Sequence, residues 1–213
     1  MKDWVKVCGI QNAADAKRCF ELGVDAIGLN LWSKSPRCVG AEAAAEIASA
    51  VRGRGQVVVL SVNHPVNELT HAVELIQPDW LQFHGDETPA EMASFGEKAF
   101  KAIGLSSVTD VDAAKRWPGS VVLVDARDAV LRGGTGTSPP VELAKAVCSS
   151  RPTILAGGLT PENVHAAIMQ LGPVGVDTAS GVERGPGVKD FEKIERFVQA
   201  AKGAFKELGL SEG

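Results

Sequence analysis

The chain has 213 residues, 45% of them hydrophobic and 23% charged, and carries a formal net charge of −4. This much apolar material excludes a disordered chain and suits one globular domain of the expected size. No apolar run approaches ~18 residues, which excludes a membrane-spanning helix; the lack of a basic face, with only 5% aromatic residues and no Tyr, excludes a nucleic-acid binder. Taken in chain order, short apolar runs predict strands at Trp4–Cys8, Asp25–Leu31, Val57–Val62, Trp80–Phe83, Phe100–Gly104, Val121–Asp125, Thr153–Leu155 and Val174–Asp177. Helical stretches of roughly 8–18 residues separate them. Most of the strands are continuous apolar runs, the pattern of parallel strands covered on both faces.

Start signals mark several of the helices. Asn12 with Asp15 three residues later, and Thr88-Pro89-Ala90-Glu91, read as N-caps with a carboxylate in the first turn. Ser138-Pro139 and Thr160-Pro161 repeat the cap followed by proline. The last helix, roughly Lys189–Leu208, carries the stripe Phe191, Ile194, Phe197, Val198, Ala201, Phe205, Leu208 at helical spacing. Eight β-α units predict a closed (β/α)8 TIM barrel spanning residues 1–213 as a single α/β domain. The alternative, an open doubly wound sheet, lacks the G-x-G-x-x-G that would follow its first strand. The glycine-rich turns instead crowd the last third of the chain, where barrels hold phosphate. The Met1-Lys2-Asp3-Trp4 start has no long apolar segment of a secretion signal, so the cytoplasm is the expected compartment.

In a barrel the chemistry sits at the C-terminal ends of the strands. Gly157-Gly158 after the seventh strand and Ser180-Gly181 after the eighth are adjacent turns where backbone N–H groups can meet a phosphate without interference from side chains. Gly133, Gly134 and Gly136, with Thr135, lie in a longer loop after the sixth strand and suit a mobile cover. Cys8 ends the first strand beside Gly9; it is either a small buried hydrophobe or a thiol poised as a general base. Cys19 and Cys148 fall on helices as core fillers, and no pair among Cys8, Cys19, Cys38 and Cys148 has metal-site spacing. Asp125 ends the sixth strand after four apolar residues; it is either a cap or partner of Arg127, or a general acid raised by partial burial. A thiolate and a protonated carboxyl on one rim can open a sugar ring and move a proton between neighbouring carbons.

Arg37, on the loop past the second strand, is either a solvated surface cation or a fork for a carboxylate. His84 either orients a ligand or bonds a neighbouring backbone group, and Asp177 can take a sugar hydroxyl. His64, His71 and His165 are read as structural or surface residues. No HxH, HExxH or carboxylate cluster calls for a metal, and no cofactor is expected.

Together these residues resemble the phosphoribosylanthranilate isomerase family. The resemblance opens at Val5-Lys6-Val7-Cys8-Gly9-Ile10. It continues through Ser35-Pro36-Arg37, Gln82-Phe83-His84-Gly85-Asp86-Glu87, Asp125, Gly133-Gly134-Thr135-Gly136, Leu155-Ala156-Gly157-Gly158-Leu159, Gly175-Val176-Asp177 and Ser180-Gly181-Val182-Glu183 to Pro186-Gly187-Val188-Lys189-Asp190. It implies a TIM-barrel isomerase of tryptophan biosynthesis that performs an Amadori rearrangement on a phosphosugar. By the same resemblance, Cys8 is the general base, Asp125 the general acid and Arg37 the holder of the anthranilate carboxylate. The backbone near Gly157, Gly158, Ser180 and Gly181 then holds the phosphate, and His84 and Asp177 line the substrate site. The implied state is a monomer or homodimer acting on a small molecule, with no nucleic acid or membrane partner. The chain departs from the family pattern at Leu31-Trp32, at Ser61, after Gly136 and at Ala179. Other readings are a different phosphosugar epimerase or isomerase, or a non-catalytic phosphosugar-binding barrel.

Overall fold

The computed structural model describes residues 2–125 and 139–209. Its strands are β1 (Trp4–Cys8), β2 (Ala26–Asn30), β3 (Gln56–Ser61), β4 (Trp80–Phe83), β5 (Ala99–Gly104), β6 (Val122–Asp125), β7 (Thr153–Ala156) and β8 (Gly175–Thr178). They pair in sequence order, all parallel, into a closed barrel. The ring closes where β1 lies between β2 and β8, with Val7 opposite both Ile27 and Thr178. All eight strands expected from the sequence form, with ends displaced by a residue or so.

Both faces of these strands are covered, which is why their sequences read as unbroken apolar runs. Val5, Val7, Ile27, Leu29, Val57, Val59, Val122 and Val124 pack outward as part of one buried layer with the helices. Trp4, Ala26, Val58, Phe100, Leu123 and Ile154 form a second cluster that fills the barrel itself. Side chains alternate along a strand, so Trp4, Lys6 and Cys8 occupy the inner face of β1 at three successive heights. The helices packed around the ring are α1 (Ala13–Glu21), α2 (Ala41–Ala50), α3 (Val66–Ile76), α4 (Pro89–Ala93), α5 (Val108–Arg116), α6 (Pro139–Cys148), α7 (Val164–Leu171) and α8 (Phe191–Glu207).

The caps at Asn12 and Thr88 form as expected. Asn12 accepts from the Asp15 N–H, and Thr88 and Glu91 make a reciprocal capping box with Pro89 in the first turn. Two expected starts are corrected. Thr160 caps no continuous helix: its hydroxyl accepts from the Glu162 N–H at 3.3 Å, but Asn163 Oδ1 takes the Thr160 N–H at 2.7 Å and Asn163 Nδ2 donates to the Gly158 carbonyl at 3.0 Å. These bonds hold residues 160–163 as a turn, and α7 begins at Val164. The last helix begins at Phe191, not Lys189, because Asp190 Oδ1 accepts from the N–H groups of Glu192 and Lys193 and sets the N-cap there. Lys189 instead belongs to a small hairpin of β9 (Glu183–Gly185) and β10 (Val188–Lys189). The α8 stripe is buried as its spacing demands, with Ile194, Phe197, Ala201 and Phe205 fully covered. Ser138 lies outside the described residues.

One buried network joins the loops after β3 and β4. Glu87 Oε1 accepts from the Asn63 N–H at 2.7 Å, while its Oε2 accepts from the Gly85 N–H at 2.9 Å and from Lys101 Nζ at 2.8 Å. Burial alone would raise the Glu87 pKa, but the Lys101 bond and the backbone N–H groups outweigh it and hold the carboxyl below its usual value. The folded pKa thus lies below the unfolded one. The resulting stability is present above the unfolded Glu value of ~4.3 and is lost as pH falls through the lower folded value. Glu87→Ala strands the Lys101 ammonium and is expected to cost about 3 kcal/mol in urea denaturation at pH 7. The gap between variant and wild type should narrow at pH 4; an equal gap at both pH values would show that the carboxylate charge contributes nothing.

Candidate active site

The strands' C-terminal ends open onto one cavity of about 420 Å³. Cys8 from β1, Asp125 from β6 and Asp177 from β8 line it, and so do Arg37 after β2, His84 after β4, Gly157 and Gly158 after β7, and Ser180 and Gly181 after β8. The barrel therefore gathers into one mouth nine candidate residues that are scattered over the sequence. Gly133, Gly134 and Gly136, with Arg127 and Thr135, lie outside the described residues.

Cys8 is buried at 6% exposure and sits above Lys6 on the same face of β1. Both side chains converge on Gly28 of β2: a methyl in place of its hydrogen would stand 2.7 Å from Cys8 Sγ and 3.1 Å from Lys6 Nζ. The glycine is the vacancy that lets thiol and ammonium share one level of a narrow barrel. Lys6 has no exposed surface, and its Nζ donates to Asp177 Oδ1 at 2.9 Å across the β1–β8 seam. Burial pushes the Lys6 pKa down, but attraction to Asp177 and to Cys8 more than compensates, so it stands above its usual value and the side chain is an ammonium. Burial pushes the helical thiols of Cys19 and Cys148 each up to about 12, which suits inert fillers.

Asp125 ends β6 half-buried, opposite Gly104 of β5 and Ala156 of β7. Asp177 has one oxygen committed to Lys6 and still borders the cavity. His84 is exposed at the rim, and its Nδ1 lies 3.3 Å from Gln82 Nε2. With the amide donating, Nδ1 is the acceptor and the ring proton sits on Nε2. Desolvation by the surrounding walls lowers the His84 pKa; Asp177 and Asp125 oppose that and Lys6 and Lys101 add to it. Its partner is thus a side chain rather than the backbone group expected as one reading of the sequence. Gln82 is itself buried and lines the cavity, and among the described residues its Oε1 has no hydrogen-bond partner, so this carbonyl oxygen can accept from a hydroxyl.

Arg37 is neither a plain surface cation nor a free fork. Its Nε and Nη2 donate to the two oxygens of Glu183 at 2.7 and 2.6 Å. Lys189 Nζ donates to the same carboxylate at 2.7 Å and to the Cys8 carbonyl at 2.7 Å. Burial would raise the Glu183 pKa, but the bonds from Arg37 and Lys189 lower it, so the carboxylate is ionised.

After β7, Gly157 and Gly158 both hold positive φ, +97° and +72°, and both line the cavity. Ser180–Val182 forms a short 3-10 turn laid flush on the loop after β7. A methyl at Gly181 would collide with the Leu159 carbonyl oxygen. That oxygen cannot easily retreat, because Thr178 Oγ1 donates to it at 2.8 Å. Backbone turns at glycine, the Arg37 cation, a thiol and a carboxyl thus border one cavity, a lining that suits a small polar anion.

Lys6, Gln82, Glu183 and Lys189 are the site residues that sequence reasoning passed over. Lys6 had a usable signal, being the one charge in an apolar strand and in phase with Cys8. Gln82 shares its phase with His84 in the same way. Glu183 had none, since it meets Arg37 from 146 positions away.

The family model for N-(5'-phosphoribosyl)anthranilate (PRA) isomerase matches residues 5–200. The N-(5'-phosphoribosyl)anthranilate isomerase of Magnetococcus marinus is 39% identical over 206 residues, covering 97% of this chain and 98% of that protein. The enzyme of the same name from Rubrobacter xylanophilus is 41% identical over 202 residues, 93% of this chain and 98% of its own. Among solved structures, the phosphoribosyl anthranilate isomerase of Thermotoga maritima superposes with a TM-score of 0.84 at 33% identity, covering 94% of this chain and 98% of that one. A phosphoribosyl anthranilate isomerase in complex with reduced 1-(o-carboxyphenylamino)-1-deoxyribulose 5-phosphate gives 0.80 at 31% identity, with the same coverage. With the barrel, the cavity and this near-complete match in agreement, the chain belongs to the N-(5'-phosphoribosyl)anthranilate isomerase family.

Proposed function

We propose that this chain converts N-(5'-phosphoribosyl)anthranilate to 1-(2-carboxyphenylamino)-1-deoxyribulose 5-phosphate, an Amadori rearrangement of L-tryptophan biosynthesis, with Cys8 as general base and Asp125 as general acid. The observation that carries the assignment of roles is that Cys8 and Asp125 border one cavity also lined by Arg37 and by the glycine turns after β7 and β8, which suit two different anions. The phosphate rests on the backbone at Gly157, Gly158, Ser180 and Gly181. The anthranilate carboxylate meets Arg37, and the sugar spans the thiol and the carboxyl.

Asp125 protonates the furanose ring oxygen as its bond to C1 breaks, and the ring opens to a protonated Schiff base. Cys8, as thiolate, removes the proton from C2, whose electrons flow into the imine to give an enolamine. Return of a proton to C1 and loss of one from the C2 hydroxyl gives the ketone, so the proton count is unchanged over the cycle. Each step is a proton transfer, which His84, Gln82 and Asp177 support as hydrogen-bond partners for sugar hydroxyls. Because nothing but protons moves, the chemistry calls for no cofactor or metal. The work takes place on a soluble small molecule in the cytoplasm, in a monomer or homodimer; the described residues contain no helix long and apolar enough to cross a membrane.

Two predictions test this reading. Loss of either proton-transfer group should cost ~10²–10⁴-fold in kcat. Turnover is followed as the decay of anthranilate-type fluorescence from freshly made substrate, with Cys8→Ala and Asp125→Ala beside the wild type. Product-analogue binding should survive in both variants; unchanged turnover in both would overturn the mechanism. Gly181→Ala forces the Ser180–Val182 turn off the Leu159 carbonyl, and inhibition by inorganic phosphate should weaken at least about tenfold, the scale of one lost hydrogen-bonded contact to a charge. An unchanged inhibition constant would move the phosphate elsewhere.

A further inference from the structure

Three charges are packed at the aryl end of the cavity, and two of them touch no open space. The side chains of Glu183 and Lys189 are 4% and 1% exposed. Burying charges is costly unless they are paired and held, and here every one is. Glu183 closes the side edge of the Arg37 guanidinium, the edge made by Nε and Nη2, with bonds of 2.7 and 2.6 Å. Lys189 anchors the same carboxylate at 2.7 Å and fixes it to the carbonyls of Cys8 at 2.7 Å and Ala179 at 3.2 Å. The Arg37 stem has no slack either. It lies on Gly9, whose φ is +79° and where a methyl would stand 3.0 Å from Arg37 Cβ, and the Arg37 N–H donates to Ser35 Oγ at 3.1 Å.

A guanidinium offers two bidentate edges. With the side edge taken, the end edge of Nη1 and Nη2 remains, and among the described residues Nη1 has no hydrogen-bond partner. Two positive charges and one negative leave the group with one net positive charge, matched to one carboxylate. We infer that Glu183 is a positioning residue for substrate selection: it locks Arg37 so that only the end edge faces the cavity, and through Lys189 it fixes that edge relative to the Cys8 carbonyl. The enzyme would thereby select phosphosugars whose amine substituent carries a carboxylate on the neighbouring ring carbon. This inference rests on the proposed reading of Arg37 as the carboxylate holder.

Charge and orientation make opposite predictions for Glu183→Gln. The substitution keeps the size and one acceptor oxygen but raises the local net charge from one positive to two. If Glu183 only offsets charge, anionic ligands bind the variant more tightly. If it orients Arg37, KM rises at least about tenfold while kcat falls less than about threefold, the pattern of lost binding rather than lost chemistry. Two inhibitors separate orientation from general damage. The reduced product analogue, which carries both anions, should weaken with KM, whereas ribulose 5-phosphate, which lacks the aryl carboxylate, should hold within about twofold. In an Arg37→Ala background the Glu183→Gln change should add nothing further, because it acts through Arg37.

Tighter binding, equal weakening of both inhibitors, or a full additional loss in the Arg37→Ala background overturns the inference. So does failure of both Glu183→Gln and Glu183→Asp to fold, which would make the residue structural. If Arg37→Ala alone binds the analogue as well as wild type does, it is the reading of Arg37 that fails, not the clamp.

Discussion

Everything at this site rests on a buried ion pair at the seam of the barrel. A closed barrel must fill its own interior, and most of this one is filled with apolar side chains such as Trp4, Phe100, Leu123 and Ile154. Midway up β1 it is filled instead by Lys6, which has lost all contact with solvent and reaches Asp177 of β8 at 2.9 Å. The pair bridges the two strands that close the ring, so the element joining the ends of the sheet also sets the floor of the cavity. An ammonium in that position would be lost to desolvation without its partner; Asp177 keeps it charged, and the charge then faces Cys8. Removing one partner of such a pair leaves the other buried and uncompensated, a penalty of about 3–5 kcal/mol, whereas the intact pair contributes little net stability. The pair is thus better explained by what it does for the site than by what it does for the fold.

Glycine decides where such groups can approach each other. Gly28 is absent space on β2 into which Cys8 and Lys6 both lean, and Gly181 lets the last turn lie against Leu159. Neither needs an unusual backbone angle; both are small because something must come close. Gly9, Gly157 and Gly158 do use positive φ; Gly9 follows Cys8, and Gly157 and Gly158 line the cavity. The site's polar geometry therefore depends on side chains that are missing as much as on those present. An alanine at Gly28 would press on the base and its neighbouring cation together.

The fold was legible because the same physics writes both faces of every strand. Continuous apolar runs, punctuated by caps at Asn12 and Thr88, specify parallel strands and intervening helices without reference to distant contacts. Where the reading slipped, distant contacts had taken over. Thr160-Pro161 has the local grammar of a helix start, but Asn163 folds back on Thr160 and Gly158 and delays it. Lys189 sits in phase with the last helix, but its ammonium is drawn to Glu183 and the Cys8 carbonyl, so the chain forms a hairpin first. The candidate site was legible at strand ends, where Cys8, Asp125 and Asp177 announce themselves as polar residues closing apolar runs. Of the residues that hold those groups in place, Lys6 and Gln82 left a trace in their phase with Cys8 and His84, whereas Glu183, which meets Arg37 from 146 positions away, left none.

Charge at the mouth illustrates how far local arrangement outweighs global balance. The protein as a whole is negative by four, yet its proposed substrate carries a phosphate and a carboxylate. Among the described residues, Lys6 is paired with Asp177, and Arg37 and Lys189 share the single carboxylate of Glu183, which leaves one net positive charge. One net positive charge in a chain that is negative overall offers little long-range steering of an anionic ligand. On the proposed reading, recognition is left to short-range geometry, to backbone donors for the phosphate and one guanidinium edge for the carboxylate. Ser180 and Gly181, proposed to hold the phosphate, and Glu183, which holds Arg37, lie within four residues of each other. One short stretch of chain thus carries both a turn that suits the proposed phosphate and the residue that holds Arg37, so on the proposed reading it positions the substrate about Cys8 and Asp125.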